Sequence, residues 1–210
     1  MAVDEALLEA MPRLGMPVLR FYGWTEPAAS FGYFQKYAEV ERMTLLRPLV
    51  HRPTAGGLVP HDADWTYSLA FPTVHEWYSL TAIESYNRAH CWIQSAFAML
   101  DVETVLAPER RKAEAGQCFA GYEKFDVLWR GRKIAGAAQR RNRDGLLIQG
   151  SVQPPPISLK RADWEEAMQQ TASEVRGGQS NEFALDDVIN QRIEQVAASK
   201  YSLASYNQKR

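Results

Sequence analysis

A lysine set among small residues, in Gly131-Arg132-Lys133-Ile134-Ala135-Gly136-Ala137-Ala138-Gln139-Arg140, is where this chain most clearly concentrates chemistry. Gly136 and Ala137 leave room for a ligand to approach the backbone. An ammonium group beside them suits holding a carbonyl oxygen or carboxylate, or lowering the pKa of a nearby thiol. Lys133 fits equally a strand lysine whose head reaches water. Upstream, Cys118 stands in Ala115-Gly116-Gln117-Cys118-Phe119-Ala120-Gly121, a loop or strand entry where a nucleophile can be exposed. A thiolate there would split an awkward aminolysis into two thioester exchanges. Its alternative is a small buried apolar residue, a reading that suits Cys91 better, beside Trp92 on a helical pattern. Further upstream, Arg52-Pro53-Thr54-Ala55-Gly56-Gly57 closes on His61-Asp62. Gly56 and Gly57 permit backbone conformations closed to other residues, so the segment can fold over an acyl chain; its alternative is an ordinary hairpin loop. Together these residues point to acyl transfer.

The elements that must position them alternate between strand and helix patterns. After a first helix, Pro17 to Trp24, Ala29 to Phe34, Leu49 to Arg52 and Trp65 to Phe71 read as strands rich in aromatic and β-branched residues. Leu80, Ile83, Ala89, Trp92, Ile93, Ala96 and Phe97 fit one amphipathic helix from Ser79 to Leu100. A charged stretch from Glu109 to Glu114 predicts a surface loop. Phe125 to Trp129, Lys133 to Ala138 and Leu146 to Val152 supply three more strands, with turns at Gly131 and at Asn142 to Gly145. Prolines 154 to 156 stop the sheet. Helices over Ala162 to Val175 and Leu185 to Ser202 complete an α+β fold, a mixed and mostly antiparallel sheet with flanking helices.

Composition narrows the class. With 210 residues, 46% of them hydrophobic, the chain suffices for a single domain over residues 1–210 with a substantial core. Its 24 Lys and Arg against 25 Asp and Glu give no reason to invoke nucleic acid or an anionic membrane. Two cysteines are too few for a disulfide framework, and no run approaches a membrane span, so a cytoplasmic protein with free thiols is expected. His51, His61, His75 and His90 lack zinc-site spacing. The first helical pattern starts at the first residue without a cap, which predicts a gene product beginning further upstream.

Several of these segments occur together in one known family. Arg52-Pro53-Thr54-Ala55-Gly56-Gly57 with His61-Asp62 resembles the Arg-Pro-Thr-Gly-Gly motif, closed by His-Asp, of the lipoate-protein ligases and octanoyltransferases. Gly131 to Arg140 resembles that family's lysine motif. Val18 to Trp24, Gly32-Tyr33-Phe34-Gln35 and Ile148-Gln149-Gly150-Ser151 match further segments in the same order. Ala55 stands where the family has glycine, and Gly150 follows Gln149 where the family has an intervening histidine. The resemblance implies a biotin/lipoyl ligase-type catalytic domain with a tunnel for the acyl chain. In it Lys133 contacts the acyl carbonyl, and Arg52, Thr54, Gly56, Gly57, His61, Gly136 and Ala137 shape the binding site.

Cys118-Phe119 is similar to the Cys-Phe element of the Gram-positive type of octanoyltransferase, whose cysteine is the nucleophile. The chain also ends without the extra domain many lipoate ligases carry. Both imply transfer of an octanoyl or lipoyl group from acyl carrier protein to a lysine of a lipoyl domain or glycine cleavage H protein, with no metal or nucleotide. The alternatives are an ATP- and magnesium-dependent lipoate ligase, with Cys118 incidental, and a non-catalytic acyl-binding relative.

Overall fold

The computed structural model describes residues 1–111, 121–176 and 181–208, with the backbone alone for 173–176. Cys118 therefore lies outside the described residues. In chain order the elements begin α1 (Ala2–Leu14), β1 (Val18–Tyr22), β2 (Ala28–Phe31), α2 (Tyr37–Val40), β3 (Leu49–His51), β4 (Val59–His61), β5 (Trp65–Pro72) and α3 (Glu76–Ser79). They continue with α4 (Ala82–Met99), β6 (Val105–Leu106), β7 (Val127–Trp129), β8 (Arg132–Asn142), β9 (Gly145–Val152), α5 (Arg161–Arg176) and α6 (Asp187–Val196). A π-helical turn (Ala197–Tyr201) and α7 (Ala204–Asn207) follow. The chain divides into two compact units, one of residues 1–80, 137–150 and 185–210, the other of 81–136 and 151–184.

In the first unit, Ala6, Leu7, Leu8 and Met11 bury one face of α1, which packs on β5 and α6. The helix ends at Gly15, whose φ of 65° suits a left-handed cap and whose N–H donates to the Met11 carbonyl. β1 runs antiparallel to β5, from Val18 opposite Ala70 to Tyr22 opposite Thr66. β5 neighbours β9, and β9 neighbours β8. The Asn142 side-chain carbonyl accepts from the Asp144 and Gly145 amides and forms the tight turn between those last two. A smaller sheet has the order β3-β2-β4, with β2 parallel to β3 and antiparallel to β4. Pro60 is tolerated in β4 because that strand is an edge.

In the second unit, Ala89, His90, Ile93, Ala96 and Phe97 line the buried face of α4, which packs on α5 through Trp164, Ala167, Met168 and Thr171. The indole N–H of Trp92 donates to the Met168 carbonyl and Thr171 hydroxyl, each at 2.9 Å. β6 pairs with β7, and β7 with the start of β8, both antiparallel. The fold is thus α+β on mostly antiparallel strands, as the strand and helix patterns predict.

Three local features depart from the sequence reading. The helix expected over Ser79 to Leu100 is α4, which starts three residues later, at Ala82, behind the short separate helix α3. The Thr81 hydroxyl accepts from the Glu84 amide at 3.3 Å while the Glu84 carboxylate accepts from the Thr81 amide at 2.8 Å, a capping box that starts α4. The last helix stops at Val196 and continues as the π-helical turn. Cys91, expected as a small buried residue, is exposed, because its position on α4 falls outside the packed stripe. No helix among the described residues is long and apolar enough to cross a membrane.

Asp4, fully buried on α1, is a polar anchor of the first unit. It accepts from Arg20 at 2.7 Å, from the Ser68 hydroxyl at 2.8 Å and from the Gln149 amide at 2.6 Å. Burial opposes its ionisation, yet the chain's amino group, Arg20 and the hydrogen bonds from Gln149 and Ser68 hold its carboxyl below the usual range. Glu5 behaves alike, with burial outweighed by Lys200 and Tyr201. A depressed folded-state value means the stabilisation is complete above the ordinary carboxylate pKa of about 4 and is lost as pH falls through the folded values. Urea midpoints should therefore decline on acidification below about pH 4. Asp4→Asn should flatten that decline; an unchanged slope would contradict the assignment.

Candidate functional site

The two units each gather part of the residues singled out from the sequence. In the first unit the segment after β3 carries Arg52, Thr54, Gly56 and Gly57. Arg52 is buried, and its guanidinium folds back over its own loop. Nε and Nη2 donate to the Ala55 carbonyl at 3.2 and 2.8 Å, Nη2 to the Gly57 carbonyl at 2.6 Å, and Nη1 to the Ser30 carbonyl at 3.0 Å. A planar fork with five donors suits several carbonyls converging from different directions. Gly56 has a φ of 89°, and a Cβ there would lie 2.9 Å from Arg52 Nη2 and 3.4 Å from the Ala138 Cβ. Gly32, following β2, meets this loop even more closely: a Cβ on it would fall 2.0 Å from the Gly56 carbonyl oxygen. Arg52, Gly56 and Gly32 thus set one conformation of the loop.

His61 is brought to the same place through Ser30. Its Nδ1–H donates to Asp64 at 2.8 Å, which leaves Nε2 to accept from the Ser30 hydroxyl at 2.7 Å; Arg52 Nη1 also donates to that hydroxyl at 3.3 Å. The Thr66 hydroxyl donates to the same Asp64 oxygen at 3.1 Å, and the Trp24 ring stacks on His61 at 4.1 Å. Ser30, His61 and Asp64 have the order of a nucleophilic triad. Ser30 is nevertheless buried on β2 under a guanidinium, without the exposure a nucleophile needs. The arrangement braces the loop. Thr54, fully buried, donates through its hydroxyl to the Gln149 side-chain oxygen at 2.8 Å, and so links the loop to Asp4.

The second unit holds Lys133. Its Nζ donates to Asp126 Oδ2 at 2.7 Å, with 14% of the lysine side chain exposed and none of the aspartate. The same Asp126 oxygen accepts from the Glu123 amide at 2.7 Å, and Oδ1 accepts from the Tyr86 hydroxyl on α4. The Asp126 backbone is tied in turn to Ala107, whose amide donates to its carbonyl at 2.9 Å. Gly136 supplies the clearance: a Cβ there would lie 2.7 Å from both Cε and Nζ of Lys133. Ala137 follows on β8. Arg111 and Tyr122, which flank the stretch containing Cys118, exchange two backbone hydrogen bonds of 2.8 and 2.9 Å. His90 packs edge-on against Tyr86 with ring centroids 4.2 Å apart. Its burial, against an opposing pull from Asp126, lowers its pKa to about 4, so it is neutral at pH 7.

A Gly136 methyl would also stand 3.1 Å from Asp126 Oδ1, so Gly136→Ala should displace the Lys133 ammonium and press on the buried carboxylate that anchors it. The melting temperature should fall as that buried pair is disturbed, and, on the role proposed below for Lys133, activity should fall at least about tenfold as well. An unchanged melting temperature, or full activity, would contradict this.

Sequence reading singled out Lys133 and the Arg52 loop but missed Ser30, Asp64, Gln149, Asp126, Tyr86 and His90. Two signals were present: Asp126 is a lone acid inside an apolar strand pattern, and Tyr86 and His90 are four apart on the apolar face of α4. Among the described residues no group of three or more His, Cys, Asp or Glu side chains forms a metal site.

Residues 1–153 match the lipoyl protein ligase A/B catalytic domain family. An octanoyltransferase LipM of Carboxydothermus hydrogenoformans is 37% identical over 160 residues, which cover 72% of this chain and 59% of that protein. The LipM octanoyltransferase of Staphylococcus aureus is 34% identical over 165 residues, covering 72% and 60%. The matched region thus spans about three fifths of these relatives. Among solved structures, a lipoate-protein ligase A bound with ATP superposes with a TM-score of 0.77 at 18% identity, covering 99% of this chain and 92% of that one. The bipartite lipoate protein ligase of Thermoplasma acidophilum gives 0.73 at 18% identity, covering 99% and 89%. At such identity these two establish the fold, and the sequence match over residues 1–153 establishes the kinship: the chain belongs to the lipoyl protein ligase A/B catalytic domain family.

Proposed function

We propose that this chain transfers an octanoyl group from octanoyl acyl carrier protein to a lysine of a lipoyl domain or glycine cleavage H protein through a thioester on Cys118. The observation that carries the proposal is the placement of Lys133, a largely buried ammonium anchored on Asp126 beside the cleared backbone of Gly136. The similarity to relatives named octanoyltransferase supports transfer over ligation.

In this reading the Cys118 thiolate attacks the thioester carbonyl of the carrier. A new carbon–sulfur bond forms, the bond to the carrier's sulfur breaks, and that thiol leaves with a proton. The neutral amine of the acceptor lysine then attacks the acyl-enzyme, loses a proton and expels the Cys118 thiolate, leaving an amide. Lys133 holds the acyl carbonyl and favours negative charge on it in both steps. Donors aimed at such an oxygen contribute about 3 kcal/mol each. Arg52, Thr54, Gly56, Gly57 and His61 hold the loop that shapes acyl binding, and Gly136 and Ala137 keep side chains away from the acyl carbonyl. The chain works as one catalytic domain over residues 1–210, in the cytoplasm, and the route uses no ATP.

The test is acceptor labelling. The purified chain is incubated with a lipoyl domain and either octanoyl acyl carrier protein without ATP or free lipoate with magnesium and ATP, and the mass of the domain is read. Octanoylation without ATP is expected. Modification only with lipoate and ATP would make the protein a ligase, and binding of octanoate without any modification would make it a non-catalytic relative.

A further inference from the structure

Resting on the assignment of Lys133 to the acyl carbonyl, we infer that Asp126 is its positioning residue, a buried carboxylate that fixes where the ammonium sits. Three observations carry this. Asp126 is fully buried and receives the Lys133 ammonium at 2.7 Å, so it is placed to orient that group rather than to meet substrate. Its own orientation is fixed from two other sides, by the Tyr86 hydroxyl on Oδ1 and the Glu123 amide on Oδ2. Gly136 leaves open the space that the lysine head occupies in this pairing.

The surroundings suit that task. His90 lies within the electrostatic reach of both Asp126 and Lys133 and is neutral at pH 7, so it does not compete as a cation for the carboxylate. The Asp126 carbonyl accepts from the Ala107 amide beside β6 and β7, and the neighbouring Phe125 amide donates to the Ala107 carbonyl, so the carboxylate is rooted next to the sheet. A lysine on its own stem has four rotatable carbons and loses its ordering without a partner. Docked on a braced acid, it enters the reaction already placed, and a displacement of about 1 Å can cost a hundredfold in rate.

Asp126→Asn, Lys133→Met, their combination and Tyr86→Phe separate this role from a structural one. Initial rates are measured on whichever acyl donor the wild-type chain turns over, with octanoate binding by calorimetry as the readout that needs no turnover. Asp126→Asn should lower kcat about 10- to 100-fold while changing KM for the acyl donor less than about threefold, and Tyr86→Phe should do so more mildly. In the Lys133→Met background, Asp126→Asn should cost no further activity and should recover melting temperature, because it neutralises a carboxylate left without its cation. A full-rate Asp126→Asn enzyme, or an equal loss from Asp126→Asn in both backgrounds, would overturn the inference. A fully active Lys133→Met enzyme would instead remove the assignment of Lys133 itself. Failure of the octanoyl route alone shows in the wild-type donor preference, and the series then runs with lipoate and ATP.

Discussion

Lys133→Met is expected to lower acyl transfer by about a hundredfold and to destabilise the protein at the same time. The activity loss follows from the proposed role of Lys133, a donor to a carbonyl that would gain negative charge in both half-reactions. The stability loss has a separate cause. Asp126 has no exposed side-chain surface, and without Lys133 its negative charge keeps the Tyr86 and Glu123 hydrogen bonds but loses its countercharge. Removing one member of a buried pair costs about 3 kcal/mol or more, well above the net worth of the pair. Thermal melts of the single variant should show that fall. A variant that is stable but inactive would place the lysine at the chemistry without the Asp126 anchor, and one that is unstable but active would make the pair structural only.

Arg52→Ala should be nearly as damaging, through the fold first. Truncation leaves the carbonyls of Ser30, Ala55 and Gly57 without the guanidinium that now joins them, in a place where Arg52 itself is 4% exposed. Hydrogen bonds to a charged donor are worth about 1.5–3 kcal/mol each, and their partial replacement by water puts the expected cost on the order of 4 kcal/mol. For a chain of this length that corresponds to a fall of about 10 °C in melting temperature. Arg52→Lys should recover little of it, since an ammonium on a flexible stem cannot reach carbonyls on opposite sides of a planar fork. Melting curves of the two variants read this directly, and a fully recovered Arg52→Lys protein would show that charge alone suffices.

Where the sequence was most legible, residue type and spacing had one physical solution. The lysine stretch reads as a strand because small and β-branched residues bracket it, and it is β8. Asn142 to Gly145 reads as a hairpin turn because asparagine and glycine take turn geometry, and Asn142 accepts the two turn amides. Prolines 154 to 156 end the sheet, and β9 stops at Val152. The start of α4 at Thr81 was also written in the chain, as a threonine three residues before Glu84, yet the apolar pattern already begins at Leu80 and masks it. What could not be read was which polar residues meet across the fold. Asp126 joins Tyr86 over a separation of forty positions, and Thr54 joins Gln149 over ninety-five. Such pairs follow from tertiary packing, and local pattern carries no record of them. Val59 to His61, interrupted by Pro60, is a strand only because β2 lies beside it.

The most direct measurement is the intact mass of the protein after mixing with octanoyl acyl carrier protein in the absence of ATP, with Cys118→Ser alongside. The account predicts an octanoyl adduct on the wild-type chain that hydroxylamine removes, that passes to a lipoyl domain, and that never forms on Cys118→Ser. An unmodified chain, with the lipoyl domain labelled at full rate by Cys118→Ser when lipoate and ATP are supplied, would contradict it.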